Sequence, residues 1–163
     1  MTYKPDWIEL EFCVVRGTGS ASGARNFSDV GGTIYAQKPL FLENGIDLSA
    51  YWNGTINASI SPLSMTLHSP RVTVNNVKWH EDYPAENFSF SDAQIVFDGH
   101  TYECLVYYPR PETKAAFGSM PPPSTIEVLA EKIPTIEYGS TGILKLDSNQ
   151  VSISSDSLSR YFL

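Results

Sequence analysis

Apolar and polar residues alternate in short runs along most of the chain, and Gly, Pro, Asn or Asp interrupts each run within a few residues. That pattern predicts an all-β fold: an antiparallel β-sandwich or barrel of jelly-roll or Greek-key type, with long loops and at most one short helix. The clearest run is 7–15, WIELEFCVV, where Ile8, Leu10, Phe12 and Val14 share one face and are expected in the core. Further strands are expected at 33–37, 40–43, 55–61, 63–68 and 71–79, divided by Pro39, Asn44-Gly45, Asn53-Gly54, Pro62 and Pro70. Between 93–97 and 101–108 stands Asp98-Gly99, a pair suited to a two-residue turn, which should place Phe97 opposite His100 and Ile95 opposite Tyr102. A second hairpin is expected from 142–146 and 150–154 around Asp147-Ser148-Asn149. The one candidate helix follows Ser124-Thr125-Ile126-Glu127, which fits a capping box, with Ile126, Leu129, Ala130 and Ile133 on one face before Pro134. The same residues also suit a strand.

Two stretches lose all periodicity, and they divide what reads as a single domain over 1–163. Residues 16–32 form a loop with five glycines, and 109–124 form an arm with five of the eleven prolines, expected to be extended and outside the sheet. Segments this long without structure of their own cost entropy to order, and a partner surface is the usual compensation. Their large apolar side chains, Phe27 in the loop and Phe117 and Met120 in the arm, are therefore the expected interface anchors.

Composition narrows the function. At 163 residues, 42% hydrophobic and 12% aromatic, the chain can bury a core without disulfide or metal staples. Cys13 and Cys104 are accordingly expected to be unbridged, buried thiols. Charged residues are only 18%, so Ser, Thr and Asn supply much of the polar surface, and such groups are cheaper to desolvate at an interface than ions. A formal net charge of −7, with the basic residues scattered singly, argues against nucleic acid and anionic membrane as partners. The first ten residues lack the apolar centre of a signal peptide, so synthesis in the cytoplasm without an export signal is expected, or the signal has been removed.

Chemical motifs are missing from the sequence. Gly17 to Gly23 (GTGSASG) has neither the lysine nor the following helix of a phosphate loop, and no serine sits in a nucleophile-elbow frame. His68, His80 and His100 share no metal-ligand spacing, and the N-x-S/T triplets at Asn26, Asn53, Asn57 and Asn87 are what this Ser/Thr-rich composition produces by chance. No enzyme activity, metal or cofactor is expected. What remains are aromatic residues at strand ends and turns: Tyr51, Trp52 and Tyr108 could stack on a sugar ring or fill a partner's pocket, whereas Trp79 is expected to pack in the core. The reading is a non-enzymatic structural or assembly protein, a virion component such as a capsid decoration, cement or tail protein, with itself and other structural proteins as partners. The alternative is a carbohydrate-binding, lectin-like module.

Overall fold

The computed structural model describes residues 2–17, 33–114 and 121–155. Along the chain run β1 (Trp7–Val14), α1 (Thr33–Glu43), β2 (Ile56–Ser59), β3 (Ser64–Leu67), β4 (Val72–Val77), β5 (Glu86–Phe97), β6 (His100–Pro109), α2 (Pro111–Lys114), β7 (Thr125–Leu129), β8 (Thr141–Asp147) and β9 (Val151–Ser154). Seven strands pair in the order β4-β5-β6-β7-β2-β1-β8, and β8 also pairs with β5. That last pairing closes β5, β6, β7, β2, β1 and β8 into a six-stranded antiparallel barrel, and β4 continues the wall as a flap on the free half of β5. The second sheet is the antiparallel ribbon β3-β9.

Alternation along each strand fills the barrel. Phe12 and Val14, Ile56 and Ala58, Ala93 and Ile95, Cys104 and Val106, Ile126 and Val128, and Leu144 and Leu146 all point inward and are buried. Met65, Leu67 and Ile153 of the β3-β9 ribbon pack against this core. At closure β5 and β8 come so near that a Cβ on Gly142 would lie 2.6 Å from the Val96 carbonyl oxygen and 3.0 Å from the Phe12 ring. The turn at Asp98-Gly99 has positive φ at both residues (51° and 78°), as a type I′ hairpin requires, and it pairs Phe97 with His100 and Ile95 with Tyr102 as the sequence implies.

One rim of the barrel is tied by polar groups. The Asp147 carboxylate is buried and accepts hydrogen bonds from the Tyr3 hydroxyl, from the backbone N–H of Asp6 (3.1 Å) and Asn149 (3.0 Å), and from Gln150 Nε2 (3.3 Å). Gln150 in turn accepts from Ser91 Oγ and the Asp92 N–H and donates to Asp92 Oδ2, while Arg71 pairs with Asp92 Oδ1 at 2.7 Å. Chain from before β1, from β5, from the loop before β4 and from the β8-β9 turn is thus joined through Asp147, Gln150 and Asp92.

Four expectations are corrected. Residues 33–37 and 40–43 are not strands but the single helix α1, which runs through Pro39. Of the two readings open after Ser124, the helix gives way to the strand: these residues form β7, with Ile126 and Val128 facing the barrel and Leu129 facing outward into a second apolar cluster. Residues 142–146 and 150–154 do not pair with each other, because the Asp147 carboxylate gathers the backbone of the turn and sends β9 to β3. Finally, the proline-rich arm is neither extended throughout nor wholly outside the sheet: Pro109 ends β6, the Arg110 N–H bonds to the Asn87 carbonyl, and Pro111–Lys114 turn into α2. Its far end is equally anchored, with the Pro123 carbonyl accepting from the Met65 N–H at 3.0 Å.

The cysteines are free, as expected. Cys104 points into the barrel from β6, whereas Cys13 is only half-buried on the outward face of β1, and β7 and β2 stand between the two strands. Among the described residues no helix is long and apolar enough to cross a membrane.

Candidate interaction face

The outer face of the wall holds the second apolar cluster. Phe88 and Phe90 of β5, Tyr107 of β6, Leu129 of β7, and Val74 and Val77 of β4 point away from the barrel and are buried by α1 and the segment after it. On α1, Ile34, Gln37 and Phe41 recur at helical spacing and form its inner stripe. Phe41 stands edge-on to both Phe88 (centroids 5.2 Å apart, 82°) and Phe90 (5.1 Å, 86°), a favoured arrangement of ring quadrupoles. Gln37 is only 1% exposed, and its Oε1 accepts from the Tyr107 hydroxyl at 2.8 Å, so the one polar residue of the stripe is satisfied. Gly45, with φ 85°, ends the helix, and the Ile46 N–H returns to the Phe41 carbonyl.

The outer stripe of the same helix is also apolar. Tyr35 and Leu42, two turns apart, are each 57% exposed, and Pro39 between them is exposed too. The helix carries two charges, Lys38 and Glu43. The Lys38 amine donates to the Tyr51 carbonyl at 2.5 Å, and partial burial lowers its pKa. That bond holds the 51–52 backbone against α1 and brings Trp52, 44% exposed, to the same side of the molecule. The Trp52 N–H is fixed on the Ala130 carbonyl at 2.9 Å.

The aromatic candidates from the sequence do not form one platform. Trp52 is exposed, but Tyr51 is half-buried against the α1 cluster, where desolvation raises its pKa. Tyr108 packs on the barrel core with the Arg110 guanidinium 5.5 Å over its ring. Trp79 packs on the outer cluster, as expected; it donates to Glu86 Oε2 at 2.8 Å and stacks on Tyr83. Phe27, Phe117 and Met120 lie outside the described residues. Tyr35 and Leu42 were hidden in the sequence because their segments read as strands, although their spacing of seven is a helical signal. No three His, Cys, Asp or Glu side chains gather as metal ligands among the described residues, and His80 Nδ1 accepts from the Asp82 N–H at 3.1 Å. The chain matches no known protein family, and no curated protein matches its sequence.

Proposed function

We propose that this protein is a non-enzymatic structural module that self-associates through the outer face of α1. The observation that carries the reading is the exposed stripe of Tyr35, Pro39 and Leu42, with Trp52 beside it, on a helix whose inner face is already fully engaged. Copies bearing a net charge of −7 repel one another, so contact is cheapest where charge is sparse, and the α1 face offers only Glu43 and an amine already bonded to Tyr51. The setting we propose is a virus particle, as a capsid decoration, cement or tail component, where a closed barrel contributes wall and the helix contributes contact.

Light scattering across a concentration series tests this. Wild type should show concentration-dependent association, and Tyr35→Glu with Leu42→Glu should give a monomer with unchanged circular dichroism. The sugar-binding alternative draws on Trp52, since the amide oxygen of the adjacent Asn53 is buried without a hydrogen-bond partner. A wild-type monomer that binds glycans and loses them on Trp52→Ala would replace assembly with that reading.

A further inference from the structure

An apolar concavity lies on the other face of β6 and β7 from α1, where the arm leaves the barrel. Its volume is about 250 Å³; Val106, Tyr108 and Ile126 reach it from the barrel, Met65 from β3, and Pro109 and Pro121 from the two ends of the arm. That is room for several waters. Water would be poorly held there, because the polar groups of the lining are few, Thr125 and Glu127 among them. The concavity therefore favours an apolar occupant.

The geometry points to residues 156–163 of the same chain, DSLSRYFL, as that occupant. The last residue of β9, Ser154, pairs with Ser64, the neighbour of Met65, and the Met65 N–H is bonded to Pro123 on the lip. The chain thus leaves β9 beside the opening. Eight further residues reach up to about 26 Å when extended, ample to lay Tyr161, Phe162 and Leu163 into it. Large aromatic side chains seated in well-packed, desolvated pockets are the usual anchors of such contacts. Arg160 would meet Glu127, the one acidic side chain of the described lining, whose Oε1 also accepts from the Thr55 hydroxyl at 3.2 Å, and charge sign agrees.

Hydrogen exchange on the full chain tests the inference. Phe162→Asp, or deletion of 156–163, should speed exchange of the β7 and β3 amides about tenfold while the β5-β6 hairpin stays protected. The peptide DSLSRYFL added to the deletion variant should restore protection. Unchanged exchange in both variants overturns the proposal. So does loss of protection on Phe117→Ala with Met120→Ala but not on Phe162→Asp, which would give the groove to the arm. Protection that falls on dilution of wild type overturns it as well, because the segment would then come from a second copy.

Discussion

Replacing Gly142 by alanine should cost more than its single methyl group suggests. The new Cβ would sit 2.6 Å from the Val96 carbonyl oxygen and 3.0 and 3.2 Å from two carbons of the Phe12 ring. Comfortable carbon contacts lie near 3.5–4.0 Å. The ring can tilt, but the carbonyl belongs to the Val96-Ile143 pairing that closes the barrel, so relief requires β5 and β8 to separate locally. Overpacking costs about 1–3 kcal/mol and a weakened ladder hydrogen bond about 0.5–1.5. Against these, alanine regains roughly 0.5–1 kcal/mol of backbone entropy over glycine. The net is a loss of about 2 kcal/mol, nearly a thirtyfold drop in the folding constant. For a domain of this size that lowers the melting temperature by about 4–8 °C. Urea unfolding followed by circular dichroism measures it, with Gly99→Ala as reference: a Cβ there meets nothing within 4 Å, and only the positive φ of 78° is strained, costing about 1–2 kcal/mol. Phe12→Leu in the Gly142→Ala background should recover part of the loss and no more. Wild-type stability in Gly142→Ala, or complete recovery with Phe12→Leu, would refute the claim that the backbone contact at the closure is limiting.

Two further outcomes follow from buried titratable groups. Burial raises the Asp147 carboxyl, but the hydrogen bonds from Tyr3, Asn149 and Asp6 outweigh it and hold the pKa below 3.8. Its contribution is therefore present above that pH and lost as pH falls through the folded value, so Asp147→Asn should be less stable at pH 7 yet show a flatter decline below about pH 4 in acid titrations. Burial pushes the Cys104 thiol up to about 12, while Cys13 is half-exposed on the barrel's outer face. A thiol reagent at pH 8 should modify Cys13 in the folded protein and reach Cys104 only on unfolding; equal rates at both would contradict the described core.

Legibility in the sequence followed how many faces of each element are buried. The Asp98-Gly99 hairpin and the inward face of β1 at Leu10, Phe12 and Val14 could be read correctly because turn chemistry and strict alternation are local signals, whereas Ile8 at the start of the strand stays outside the core. β7 was ambiguous for a physical reason: Ile126 and Val128 enter the barrel while Leu129 enters the outer cluster, so the run Val128-Leu129-Ala130 at its end is apolar on both faces and loses the alternation of a strand. α1 was disguised twice, by Pro39 in mid-helix and by Gln37, whose amide occupies a core position only because Tyr107 supplies its partner from 70 residues away. Of the site, Trp52 was visible as an exposed aromatic beside a turn. Tyr35 and Leu42 became visible only once α1 was a helix, and no sequence pattern separates an outward apolar stripe from an inward one.

The pairing of β1 with β8 sets a schedule for biosynthesis. Trp7 lies opposite Asp147, so β1 must wait for β8, more than a hundred residues later, before that edge is covered. At about 5–20 residues per second the ribosome needs roughly 7–27 s to extend the chain from Val14 to Asp147. The β5-β6 hairpin can form during that interval, but the edge of β1 that awaits β8 cannot be satisfied. Glu9 and Glu11 stand on its outward face, exposed, and place two negative charges along that edge while it waits. Like charge on a nascent strand discourages it from pairing with the same strand of a neighbouring chain on the same messenger.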